Sequence, residues 1–93
     1  MIKSFADRET EELYVTGRGR RFPGAVCNIG VRKLDYLNAA VRLDDLKAPP
    51  GNRLERLSGG RKGFYSIRVN DQYRVVLRFA DGDAYDVEIT DYH

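Results

Sequence analysis

One cysteine and one histidine in 93 residues remove several chemistries at the outset. Cys27 alone closes no internal disulfide and anchors no multi-cysteine zinc site, and a lone imidazole, His93, leaves no plausible cage for a first-row metal. A reducing compartment is expected. Also lacking are a charged leader running into an apolar stretch and any run near the roughly 20 apolar residues of a membrane helix, so the expected location is the cytoplasm, with no membrane contact. The glycine-rich Gly59-Gly60-Arg61-Lys62-Gly63 has no lysine followed by serine or threonine and is not a nucleotide-binding loop. No repeat, low-complexity tract or second domain is visible, and residues 1–93 read as one domain. A chain this short buries only about 60–65% of its unfolded surface, so a tight partner would stabilise it considerably.

What is present is charge, unevenly spread. The net charge is only +2, yet residues 18–33 carry Arg18, Arg20, Arg21, Arg32 and Lys33 with no acid. Residues 53–78 carry Arg53, Arg56, Arg61, Lys62, Arg68, Arg74 and Arg78 against Glu55 and Asp71. From residue 79 onward the acids Asp81, Asp83, Asp86, Glu88 and Asp91 stand without a cation. The middle of the chain suits a polyanion and the end does not.

Hydrophobic periodicity gives an α+β fold. Met1–Phe5 alternates as a first strand, Asp7 caps a helix that Gly17 ends, and Pro23 opens a second helix whose stripe is Val26, Ile29, Leu34, Leu37 and Val41. A short turn follows through Leu43 and Leu46, and Ala48-Pro49-Pro50-Gly51-Asn52 stops regular structure. The period then becomes two: Tyr65, Ile67 and Val69, then Tyr73, Val75, Leu77 and Phe79, then Tyr85, Val87 and Ile89, with Arg53–Leu57 as a further short strand. Pairing Ile67 with Val75 and Leu77 with Tyr85 requires odd loops, read as three residues each, Asn70-Asp71-Gln72 and Ala80-Asp81-Gly82. Two N-terminal helices therefore cover one face of a mainly antiparallel sheet of four to five strands. The other face, with Ser66, Arg68, Arg74, Val76, Arg78, Ala84, Asp86 and Glu88, is left as an arginine-bearing surface open to solvent or ligand.

If the polyanion is RNA, cutting it without a metal needs a base for the 2′-hydroxyl, a fixed cation for the phosphate and an acid for the leaving oxygen. His93 is the one imidazole, and it reads either as one of these proton-transfer groups or as a frayed tail. Arg74, with Arg68 beside it, can grip a phosphate through two hydrogen bonds, or both can pair with Asp86 and Glu88 as a surface network. Glu55, between Arg53 and Arg56, is a salt-bridge partner or a carboxylate at the edge of a basic cleft. Tyr92 offers a ring on which a base could stack, whereas Tyr65, Tyr73 and Tyr85 fall on the apolar face as core residues. Arg61 and Lys62 form a basic loop tip suited to a phosphate backbone, and Cys27 is a packing residue.

The stretch Pro50-Gly51-Asn52-Arg53-Leu54-Glu55, then Leu57, Gly59, Gly63, Tyr65-Ser66-Ile67-Arg68-Val69-Asn70, Gln72-Tyr73-Arg74 and the ending Asp91-Tyr92-His93 closely resembles the HigB-type branch of the RelE/ParE toxin superfamily. Met1-Ile2-Lys3-Ser4-Phe5 and the element order agree, so the resemblance spans the chain. It implies a RelE/ParE-like fold and a ribosome-dependent endoribonuclease that cleaves messenger RNA in the decoding site, with no cofactor. A HigA-like helix-turn-helix antitoxin would restrain it, and operator DNA would be met only through that complex. Arg74 matches the phosphate-stabilising arginine, Tyr92 and His93 the other main catalytic positions, and Asp91 a supporting acidic one. Arg56, Arg61, Lys62 and Arg68, together with Asp91, are assigned to RNA and ribosome contact.

Some HigB relatives carry histidine and lysine where this chain has Glu55 and Ser58. Glutamate there resembles the YoeB branch, in which a carboxylate is proposed as general base, and makes Glu55 with His93 a base–acid pair. Two alternatives remain: the ParE branch, associated with inhibiting DNA gyrase, against which the Asp91-Tyr92-His93 ending argues, and a non-catalytic ribosome- or RNA-binding module.

Overall fold

Asp7 sits in extended backbone and its carboxylate accepts a hydrogen bond from the Thr10 N–H at 2.7 Å, opening helix α1 (Arg8–Thr16). Gly17, at φ 77°, closes it by donating its N–H to the Leu13 carbonyl. The computed structural model describes residues 1–60 and 62–91; Arg61, Tyr92 and His93, all singled out above, lie outside the described residues. Helix α2 (Gly24–Ala39) follows Pro23 and buries Val26, Leu34 and Leu37. Val41, expected at the end of that stripe, is instead 69% exposed, because Ala40 has already turned to extended backbone. A 3₁₀ turn spans Leu43–Lys47, and a second, Pro50–Asn52, lies where the proline pair was expected to abolish regular structure. Proline tolerates the first position of such a turn, where its missing N–H costs nothing.

Four strands, β1 (Glu55–Arg56), β2 (Phe64–Arg68), β3 (Tyr73–Ala80) and β4 (Asp83–Asp91), pair antiparallel in chain order. The first is shorter than the expected Arg53–Leu57. The opening segment is not a continuous strand; it forms two parallel bridges to β4, Ile2 with Ala84 and Phe5 with Val87. Between them the Ser4 hydroxyl accepts the Asp86 N–H at 2.9 Å. Further along the same strand Thr10 Oγ1 accepts the Ile89 N–H at 3.0 Å, so α1 is docked to β4 by a buried hydrogen bond. At Gly30 of α2 a Cβ would come within 2.9 Å of Ile89 Cδ1, so the missing side chain is what lets helix and sheet approach.

The first hairpin has the expected three-residue loop, since Arg68 pairs with Arg74 and the Val69 N–H donates to Tyr73 O. The second does not. Ala80 pairs with Asp83, leaving a two-residue turn, Asp81-Gly82, with both φ positive. Asp-Gly favours this turn because its twist matches that of the strands. The odd residue reappears as a bulge in β4, where Asp86 adopts φ 52° and the register shifts opposite Leu77. Ala84 therefore pairs with Phe79 and is buried in the core, not placed on the polar face. Tyr85, expected in the core, pairs with Arg78, whose guanidinium lies 4.6 Å from its ring centroid.

The core joins Leu13, Val26, Leu34, Leu37 and Leu46 to Ile67, Val75, Leu77, Val87 and Ile89 between helices and sheet. Lys33, counted among the basic residues of 18–33, is buried: its ammonium donates to Asn52 Oδ1, while Asn52 Nδ2 donates to the Leu46 and Ala48 carbonyls. Burial, aided by Arg32 and Arg68, pushes the Lys33 ammonium below the usual lysine range. Asn52→Ala should cost about 3 kcal/mol, because it leaves a buried charge without its acceptor. The check is a urea unfolding curve, with a lower midpoint and unchanged slope expected. Among the described residues no helix is long and apolar enough to cross a membrane.

Candidate active site

The sheet face away from the helices is organised in rows by the strand register. Glu55, Ser66, Val76 and Glu88 form one row, Arg68, Arg74 and Thr90 the next, and Phe64, Arg78 and Tyr85 the third. The face is not the open surface expected, since Ser66, Val76 and Arg74 are all buried, Arg74 at 9% exposure. Arg68 and Arg74 stand directly opposite one another, an arrangement that repels unless each charge is answered. Asp71, in the hairpin loop, accepts from Arg68 Nη2. Arg74 Nη2 lies 3.9 Å from Glu55 Oε2. Neither arginine makes the pairing with Asp86 or Glu88 that was the alternative; it is Arg78 that reaches Asp86, at 3.4 Å.

The Arg74 side chain runs diagonally over β2. Its Nε donates to Ser66 Oγ at 2.8 Å, and its Nη2 donates to the Arg53 carbonyl at 2.6 Å and the Ser66 carbonyl at 3.3 Å. Arg53 presents that carbonyl from a left-handed conformation, φ 46° and ψ 60°. The pattern Arg53-x-Glu55 thus does two things from residues two apart: the first offers a backbone oxygen to Arg74, and the second an exposed carboxylate. Sequence reasoning singled out Arg74 and Glu55 but not Ser66 or the Arg53 carbonyl, which contact Arg74. Only the parity that puts Ser66 and Arg74 on one face of neighbouring strands could have pointed to the serine.

Thr90 is the β4 partner of Arg74, and Asp91 follows it, so β4 ends alongside the Arg74 row. Asp91 is exposed and accepts from Gln72 Nε2 at 2.9 Å. Arg21, from the first basic segment, reaches the same end of the sheet, where it lines a cleft of about 290 Å³ with Tyr73 and Asp91. Tyr92 and His93 fall outside the described residues.

Arg56 and Lys62 are placed elsewhere. Arg56 pairs with Tyr65, so it belongs to the opposite face from Glu55. Arg56, Lys62 and Tyr65 line a cleft of about 480 Å³ at the open β1 edge. Tyr65 is half-buried against the core and also forms part of this basic cleft. The structure therefore separates the cations assigned to RNA into two sets, Arg68 beside Arg74 and Arg56 with Lys62 behind the edge strand. Among the described residues no group of three histidine, cysteine, aspartate or glutamate side chains could hold a metal ion.

A family model described as the RelE-like toxin of type II toxin–antitoxin system HigB matches residues 3–93. Toxin HigB-1 of Vibrio cholerae serotype O1 is 45% identical over 85 residues, 90% of each chain. Endoribonuclease HigB of Proteus vulgaris is 30% identical over 93 residues, the whole of both. Among solved structures, the toxin–antitoxin complex YoeB–YefM from Staphylococcus aureus contains a chain that superposes with a TM-score of 0.59 at 18% identity, covering 100% of this chain and 98% of that one. That likeness is one of fold.

Proposed function

The chain belongs to the HigB family of RelE-like toxins of type II toxin–antitoxin systems, and from that premise we propose that it is a ribosome-dependent endoribonuclease that cuts messenger RNA in the cytoplasm. The observation that carries the proposal is the Arg74–Glu55 pair at 3.9 Å on the face away from the helices, with β4 ending beside it. In the reaction Glu55 accepts the proton of the 2′-hydroxyl, whose oxygen attacks the adjacent phosphorus. Arg74 neutralises the negative charge that grows on the non-bridging oxygens, and the bond to the 5′-oxygen breaks as His93 gives that oxygen a proton. The products are a 2′,3′-cyclic phosphate and a 5′-hydroxyl. Tyr92 stacks on a base and Asp91 supports the site.

So small a set of acid–base groups requires that something else bend the RNA into line, and the ribosome is the natural source of that geometry. Its RNA is met by the cleft of Arg56 and Lys62, with Arg61, the residue before Lys62 in the chain, assigned to the same contact. The Arg56→Ala/Lys62→Ala double variant should bind ribosomes more weakly and lose about two phosphate contacts' worth of the salt dependence. A binding titration at several salt concentrations reads both, and an unchanged slope would remove this cleft from docking. The antitoxin partner is of the HigA-like helix-turn-helix kind. The proposal is tested by mapping the 5′ ends of translated messages after a brief pulse of expression. New ends inside reading frames are expected, and intact messages under arrested growth would refute it.

A further inference from the structure

An arginine on a solvated strand face has four side-chain torsions to settle before it can meet a phosphate. Arg74 has settled them. Its guanidinium is held from β2 by the Ser66 hydroxyl at 2.8 Å and the Ser66 carbonyl at 3.3 Å, and from the edge by the Arg53 carbonyl at 2.6 Å. Three donor–acceptor contacts from two different segments fix both the plane of the group and its rotation within that plane. Ser66 is fully buried and stands on β2 between Glu55 of β1 and Val76 of β3. Its hydroxyl thus sits under the Glu55–Arg74 pair and is placed to act through Arg74.

We infer that Ser66 is a positioning residue for cleavage: its hydroxyl holds the Arg74 guanidinium in the orientation in which it meets the scissile phosphate. This rests on the reading that Arg74 faces that phosphate. A donor aligned before the substrate arrives loses nothing to reorganisation as charge develops, whereas the same donor swinging freely must be ordered during the reaction. Serine suits the position because its hydroxyl accepts from Nε while adding almost no volume beneath a buried arginine. Alanine keeps the volume and removes the acceptor.

The experiment is a double-mutant cycle on ribosomes programmed with a defined message, reading the saturating cleavage rate and the ribosome dissociation constant separately. Ser66→Ala should lower the saturating rate about tenfold and leave the dissociation constant within about twofold. Ser66→Thr, which keeps the hydroxyl, should recover most of the rate. In an Arg74→Lys background, where no Nε–H remains to be held in that geometry, Ser66→Ala should add nothing further. Equal losses in both backgrounds, a full rate for Ser66→Ala, or a loss confined to ribosome affinity would each overturn the inference. Thermal midpoints of the variants bound to antitoxin separate misfolding from misalignment, since a fall in rate that tracks lost stability in every variant, Ser66→Thr included, would make Ser66 merely structural. A wild-type rate for Arg74→Lys alone would instead sink the underlying reading of Arg74.

Discussion

Arg74→Ala is expected to lower cleavage of ribosome-bound message by about 10²–10³-fold while leaving ribosome binding nearly unchanged. The size follows from the loss of a fixed cation at the phosphate in a site where it is already oriented. The selectivity follows from the fold: Arg74 is buried on one face of the sheet, and the exposed Arg56 and Lys62 line a cleft on the other. Arg74→Lys keeps the charge but not the planar fork, and should recover only a small part of the rate. Single-turnover cleavage at saturating ribosome, paired with a binding titration, reads both quantities. Because Arg74 also holds Arg53 and Ser66, part of the alanine effect reflects a loosened β1 edge, and the lysine variant bounds that part. Equal losses of rate and affinity would mean that Arg74 serves docking and not chemistry.

His93→Ala should be comparably damaging, about 10²–10⁴-fold, through loss of the proton that the leaving 5′-oxygen needs. The sign with pH follows from the role. An acid must be protonated to act, so the wild-type rate should show an alkaline decline that is missing from the variant. A message whose 5′-oxygen is replaced by sulfur, a far better leaving group, should be cut by wild type and His93→Ala at similar rates. A variant that is equally slow on both substrates would place His93 outside the leaving-group step.

The sequence made the architecture legible because the strongest signals were local. Asp7 and Gly17 mark the ends of α1, and the change of period after Asn52 marks the sheet. What it concealed depended on cooperation between distant residues. Asp81-Gly82 is compatible with a two- or three-residue loop, and only the twist of the assembled hairpin selects the shorter one and moves the extra residue to Asp86. That shift decides whether Ala84 or Tyr85 enters the core. Lys33 reads as one more surface cation until Asn52, from a segment 19 residues away, supplies its acceptor.

The same division holds at the site. Arg74 and Glu55 stand out as charges in a recognisable pattern, and the register brings them to 3.9 Å. Their separation from Arg56 is implicit in a strand over Arg53–Leu57, whose successive side chains alternate faces, but which of the two joins Arg74 is settled only when β1 pairs with β2. Ser66 is invisible for a different reason. Nothing in a serine on the polar side of a strand announces that it will hold an arginine from the next one.

The most direct test of the account is a comparison of one message, radiolabelled at its 5′ end, presented free and bound in the ribosomal decoding site to wild-type protein and to Arg74→Lys. The account predicts rapid cutting only when the ribosome holds the message and Arg74 is present, with a 2′,3′-cyclic phosphate on the upstream fragment. Free RNA cut at the ribosomal rate, or a variant as active as wild type, would contradict it.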